Sequence, residues 1–192
     1  MHKRLVRGLT LIELMITIAL LVIVLAIGVP SFQGAINSSR LSAAANELSA
    51  AVHLARAEAI KRNRSVVLCR SATLATCAAG DTWPGWLVFA DGNGNGAVDA
   101  GEQIVKASTI DAPLVVRASP GISSRDHHVT FMPNGMARGA DEMALLNAAL
   151  SICAPSTQPP TNVRDVLIAF GGRTSVRGRD TAGDCGNAPA DS

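Results

Sequence analysis

The densest group of side chains with chemical potential lies at residues 91–102. Asp91, Asn93, Asn95, Asp99 and Glu102 follow the spacing D-x-[DN]-x-[DN]-G-x5-E, with Gly96 at the sharp turn. Oxygen donors at that spacing suit calcium, a hard cation that takes about six to eight oxygens. Such a loop ordinarily joins two helices, whereas residues 86–90 and 103–107 on either side read as strands. The competing reading is an Asn/Gly-rich hairpin whose side chains cap its own backbone amides. Apart from calcium at these five residues, no cofactor is expected.

A second group is Arg164, Arg173, Arg177 and Arg179. In a strand, Arg173, Ser175 and Arg177 point to one face, joined by Arg179 if the chain stays extended, and such a row could follow a phosphate backbone. Asp165, Asp180 and Asp184 dilute its field, and a solvated edge strand guarded by its charges explains the same residues. Catalysis finds no footing: there is no G-x-S-x-G, H-E-x-x-H, Walker loop or dinucleotide fingerprint, and His127-His128 reads as a polar turn before a strand. The chain is not expected to be an enzyme.

The element that must carry these groups is a helix near the start. Residues 9–29 are twenty-one residues with one charge, Glu13. At about 1.5 Å per residue they reach across a hydrocarbon core of about 30 Å. Before them stands a short basic leader, with His2, Lys3, Arg4 and Arg7, that ends in Gly8. A secretory leader loses its apolar core on cleavage; a cut after Gly8 would leave this one on the mature chain. Glu13 reads either as an acid tolerated at the membrane interface or as the partner of a new amine on Leu9 of a neighbouring subunit. The closeness of the Gly8 junction favours the second.

The basic leader before the span places residues 1–8 in the cytoplasm and the remainder across the inner membrane. Removing Lys3, Arg4 and Arg7 from seventeen basic residues leaves fourteen against fifteen acidic ones, a net charge of −1. The overall charge is therefore no argument for nucleic-acid binding, and only a local cluster could support it. Cys69, Cys77, Cys153 and Cys185 fall in the exported part, where an even count favours two disulfides. Of three connectivities, Cys69 with Cys77 and Cys153 with Cys185 is chosen because each pair brackets an irregular segment. Zinc with His127 or His128 is the rival, without the C-x-x-C spacing that supports such sites.

From residue 31 the pattern becomes amphipathic. Ile36, Leu41, Ala44, Leu48, Val52, Ala55, Ala59 and Ile60 recur mostly three and four apart, so the helix continues, bent or loosened near Gly28, Pro30 and Gly34, to about Asn63. Short strands follow at 65–69, 86–90, 103–107, 114–118, 129–131, 149–153, 166–170 and 173–177. The loop 154–162 and the tail from Gly178 are expected to be the most mobile parts. The fold class is α+β: a long N-terminal α-helix, membrane-spanning in its first half and amphipathic in its second, packed on a mostly antiparallel β-sheet head. The divisions are 1–8 leader, 9–30 transmembrane helix, 31–64 amphipathic continuation and 65–192 exported head.

The basic leader, Gly8, an apolar residue, Thr10-Leu11-Ile12-Glu13 and the apolar helix together resemble the class III signal of type IV pilins and pseudopilins. Residues 83–102, a cysteine-bracketed turn before them, Val129-Thr130-Phe131-Met132-Pro133-Asn134-Gly135 and Gly172-Arg173 narrow the resemblance to the GspH/FimT family of minor pilins and pseudopilins. The resemblance implies that a prepilin peptidase cuts between Gly8 and Leu9 and methylates the Leu9 amine, and that Glu13 governs subunit register. Leu9 departs from the commoner Phe after the cut. Implied partners are other major and minor pilins or pseudopilins, an inner-membrane assembly platform and membrane lipid. The implied role is a structural subunit at the tip or in priming of a type IV pilus or a type II secretion pseudopilus. The implied location is the bacterial inner membrane, single-pass with a periplasmic head, and then the filament. Some FimT-like members bind DNA through a C-terminal Gly-Arg-x-Arg motif in natural transformation. Here Gly172-Arg173-Thr174-Ser175-Val176-Arg177 and Gly178-Arg179 stand instead, so DNA uptake through Arg173, Arg177 and Arg179 is the alternative.

Overall fold

The computed structural model describes residues 10–138 and 144–192, and of residues 27, 30 and 31 the backbone alone. It opens with α1, an unbroken helix over Leu11–Arg62. The loosening expected near Gly28, Pro30 and Gly34 does not interrupt it; an internal proline removes one hydrogen bond of a ladder that neighbouring turns maintain. Asn63 ends the helix in the left-handed region at φ 51°, its N–H donating to the carbonyls of Ala59 and Ile60.

The second half of α1 is the spine of the core. Leu41, Ala45, Leu48, Val52, Ala55 and Ala59 alternate four and three apart and are all buried. Ile36 and Ile60, read from the sequence as part of that stripe, are instead 44% and 52% exposed. Ile60 sits one position past Ala59 and so turns about 100° away from the buried line.

Among the described residues nine strands follow: β1 Ser65–Arg70, β2 Gly85–Asp91, β3 Ile104–Thr109, β4 Val115–Ala118, β5 His128–Phe131, β6 Ala137–Arg138, β7 Ala148–Cys153, β8 Val163–Ala169 and β9 Arg173–Arg179, with a single turn of helix, α2 Pro120–Ser123, between β4 and β5. They form two sheets, ordered β3-β2-β1-β5-β6 and β4-β7-β8-β9, with every pairing antiparallel. The helix touches β1, β2 and β5 of the first and β7, β8 and β9 of the second. One apolar core thus joins the α1 stripe to Trp83, Trp86, Phe131, Ile122 and Ile152. α2 and the two-residue β6 had no counterpart in the sequence reading, because elements this short carry no periodicity.

Each sheet is also covered on its outer face. Val67, Cys69, Leu87 and Phe89 form a second buried cluster, capped by Cys77 and by Val98 from the β2–β3 connection. A disulfide joins Cys69 to Cys77, and another joins Cys153 to Cys185. The loop and tail expected to be mobile are tied down. Asn162, fully buried, donates from Nδ2 to the Ala154 carbonyl at 3.0 Å and accepts from the Thr181 N–H at 2.9 Å. Asn37 of α1 donates to the Gln158 carbonyl at 2.9 Å, fixing the loop to the helix. Beyond Cys185 the tail crosses the second sheet, and Asp191 accepts from the Gly121 N–H at 2.9 Å.

Among the described residues, no helix is long and apolar enough to cross a membrane. Within the apolar run, side chains are described without a gap only over 10–26, and the span read from the sequence, 9–30, passes both ends of that stretch.

Candidate functional site

Over the first turns of α1 the described side chains stand exposed. Thr10 caps the helix, its Oγ1 accepting from the Glu13 N–H at 3.3 Å. Thr10-x-x-Glu13 is therefore also the spacing of a capping box, a local signal that the sequence reading passed over. Gly8 and Leu9 lie outside the described residues. Among the described side chains from Leu11, 77% exposed, to Phe32, 74% exposed, fourteen large apolar ones face outward. Covering them is worth on the order of 20 kcal/mol of apolar transfer free energy. This stem is a surface that requires a cover.

The loop after β2 is held by its own side chains. Asp91, 2% exposed, accepts from the Gly94 N–H at 2.6 Å through Oδ1 and from the Gly96 N–H at 2.9 Å through Oδ2. Glu102 accepts from the N–H groups of Gly92 at 2.6 Å and Asp99 at 3.1 Å. Asn93 and Asn95 both donate from Nδ2 to Asp99 Oδ2, at 2.8 and 2.7 Å. The five residues read as calcium donors thus share one loop, flanked by strands rather than helices, with the carboxylates of Asp91 and Glu102 turned to backbone amides and that of Asp99 to the side-chain amides of Asn93 and Asn95. No three acidic, His or Cys side chains converge as a metal cluster among the described residues. Zinc has no thiolate to use, since all four cysteines are in disulfides. His128 opens β5 and packs its ring against the loop: a Cβ added to Gly96, where φ is +74°, would meet His128 Cε1 at 3.1 Å. Burial pushes the His128 imidazole below its usual range, with Arg125 adding to the effect and Asp126 and Asp91 opposing it.

The four arginines divide. Arg164 donates to the carbonyls of Thr161 at 2.7 Å and Val163 at 3.1 Å. Arg173 and Arg177 are exposed on β9, the edge strand of the second sheet. Arg179 shares their face, but its Nε lies 3.0 Å from Asp165 Oδ2 and its Nη2 3.2 Å from Asp165 Oδ1. Asp165 is 2% exposed and also accepts from the Ser151 hydroxyl. Arg179 is the counter-ion of a buried carboxylate and is not presented to a phosphate, so the row expected from the sequence shrinks to two residues.

A model of the family described as Type II transport protein GspH matches residues 44–172, and the prokaryotic N-terminal methylation motif matches residues 3–29. The chain belongs to the GspH family. This GspH-family chain is 38% identical over 97 residues to the pilin-like protein PilA1 of Thermus thermophilus, covering half of its own length and 56% of that relative's. In structure it resembles the type IV minor pilin FimU of Pseudomonas aeruginosa, with a TM-score of 0.52 and 20% identity over 73% of this chain and 90% of that one. The minor pseudopilin EpsH from the Type 2 Secretion System of Vibrio cholerae aligns with a TM-score of 0.49 and 13% identity over 72% of this chain and 97% of that one. The head has the pilin-like arrangement of a long helix on antiparallel sheets.

Two outcomes follow from the site. Arg179→Gln leaves a buried carboxylate without its cation and should lower the unfolding free energy by about 2 kcal/mol or more, while Arg173→Gln and Arg177→Gln stay within about 0.5 kcal/mol. Urea unfolding of the three variants checks this, and equal effects would contradict it. For His128, whose native pKa lies below the ordinary 6.5, native and unfolded chains are both neutral well above that value. As pH falls below 6.5 the unfolded chain takes up a proton first, so stability is lost until native His128 also protonates. His128→Gln should therefore flatten the decline of stability between neutral pH and about pH 5; parallel pH profiles for parent and variant would refute it.

Proposed function

We propose that the chain is a minor pilin or pseudopilin, a structural subunit that assembles through α1 into a type IV pilus or a type II secretion pseudopilus. The observation that carries this is the helix divided at residue 37: below it the apolar stem is exposed, and above it the same helix is the core of a folded head. Lipid of the inner membrane would cover the stem before assembly, with the head in the periplasm. The stems of other major and minor pilins or pseudopilins would cover it afterwards, with an inner-membrane assembly platform managing the exchange. A prepilin peptidase would cut between Gly8 and Leu9 and methylate Leu9, as the methylation-motif match over residues 3–29 suggests. A place at the tip or in priming of the filament is part of this proposal. No reaction of its own is assigned to the chain.

Glu13 takes the part of the neighbouring Leu9 amine's partner. Its competing role, as the acid of a capping box, is separable, because Gln serves in that box as well as Glu. Full-length Glu13→Gln should keep the helix start and still fail to assemble. The test is to complement a deletion strain with parent or variant, counting surface filaments, secreted enzymes and DNA uptake. Loss of pili assigns the pilus, loss of secretion alone assigns the pseudopilus, and full function of Glu13→Gln would refute the charge role.

A second reading, DNA capture during uptake, draws on the exposed Arg173 and Arg177 of the β9 edge. Its test is the double replacement of those two by Gln, with Arg179 left in place because of its bond to Asp165. Unchanged DNA binding and salt dependence would remove this reading.

A further inference from the structure

The sequence holds three Asn-Gly steps, Asn93-Gly94, Asn95-Gly96 and Asn134-Gly135, all with the Asn exposed. Asn-Gly is the dipeptide most open to deamidation, since glycine puts no side chain in the way of its own nitrogen. The glycine amide nitrogen attacks Asn Cγ; a C–N bond forms, the Cγ–Nδ2 bond breaks, and the nitrogen's proton leaves with the amide as ammonia. Water then opens the succinimide at either carbonyl, giving Asp or isoaspartate. The attack requires a free, deprotonated glycine nitrogen.

In this head none of the three nitrogens is free. Gly94 N–H donates to Asp91 Oδ1 at 2.6 Å, Gly96 N–H to Asp91 Oδ2 at 2.9 Å, and Gly135 N–H to the Met132 carbonyl at 2.8 Å. Two of the three acceptors are oxygens of a single buried carboxylate, whose negative charge opposes deprotonation of the nitrogens it holds. The Asn side chains are also fixed: the Oδ1 atoms of Asn93, Asn95 and Asn134 accept from the N–H groups of Asn95, Ala97 and Met136 at 3.1, 2.9 and 3.0 Å.

We propose that Asn93 and Asn95 are latent modification sites in which Asp91 suppresses succinimide formation, so that the β2–β3 loop is a one-way chemical switch thrown only when Asp91 lets go. The consequence is directional. Asn93 and Asn95 donate from Nδ2 to Asp99 Oδ2; each converted residue would instead face Asp99 with a carboxylate. Like charges at that distance repel, the loop does not re-form, and Val98 loses its place against the buried cluster of the first sheet's outer face. This reading is independent of filament assembly.

The test is peptide mass spectrometry of the full chain in detergent, incubated at mildly alkaline pH, with isoaspartate resolved from Asp. The urea-unfolded chain sets the unguarded rate. In the folded parent all three steps should convert at least about tenfold more slowly than that. Asp91→Ala should accelerate Asn93 and Asn95 by about tenfold and leave Asn134, whose guard is a backbone carbonyl, at the parent rate. Conversion of the folded parent at the unguarded rate, or an Asp91→Ala chain that matches the parent, would overturn the proposal. If Asp91→Ala accelerates all three because the head has unfolded, amide hydrogen exchange in the parent decides: protected Gly94 and Gly96 amides uphold the guard, and unprotected ones overturn it.

Discussion

One helix is asked to be apolar on two kinds of surface, and the rest of the molecule follows from how far each extends. From Leu41 to Ala59 the apolar positions fall on a single line, and two sheets close over it. From Leu11 to Phe32 they go all round, and no single head could enclose them. Ala45, Ala51, Ala55 and Ala59 let the sheets approach the buried half closely, so a thin helix serves as the centre of a head built from short strands. Burial of the upper half fixes the head to the helix, and exposure of the lower half obliges the helix to find lipid or other helices.

The head's outer faces show how a chain with few aromatic residues closes two sheets. The first sheet is sealed by the Cys69–Cys77 turn and by Val98, which the hydrogen-bonded loop around Asp91 holds in place. The second is crossed by the C-terminal tail, with the Cys153–Cys185 bond, Asn162 and the Asp165–Arg179 pair beneath it. In both places a buried carboxylate is fully engaged, Asp91 by glycine amides and Asp165 by a guanidinium and a hydroxyl. The Asp91 loop and the Asp165–Arg179 pair thus hold the two covers in place.

Much of this was legible in the residues. The eight strands placed by apolar runs between Gly, Pro and Asn clusters coincide with eight of the nine strands among the described residues, with no end displaced by more than three residues. Periodicity found the buried stripe but overran it at Ile36 and Ile60, because three- and four-residue spacing does not reveal where a head begins and ends along a helix. The face shared by Arg173, Arg177 and Arg179 follows from strand alternation, yet alternation could not show that Asp165 on β8 takes one of them. That pairing depends on the register of β8 against β9, which places Asp165 opposite Arg177 and within reach of Arg179. The tail looked mobile for a similar reason: its anchors, Gly121, Asn147 and Asn162, are distant in sequence. The D-x-N-x-N-G motif fits a cation loop and an amide-capping loop equally well, since both need oxygens converging on a tight turn.

The claim that the stem exists to be covered by other stems is open to one direct measurement. A single thiol at Val22, in the full chain made by cells that assemble filaments, would be treated with a short membrane-permeable crosslinker. The four native cysteines, all in disulfides, stay silent. Covalent adducts joining Val22→Cys to the N-terminal helices of other pilin-type subunits in the sheared filament fraction are the predicted result. A chain recovered only as uncrosslinked monomer in the membrane, while filaments form around it, would contradict the assignment.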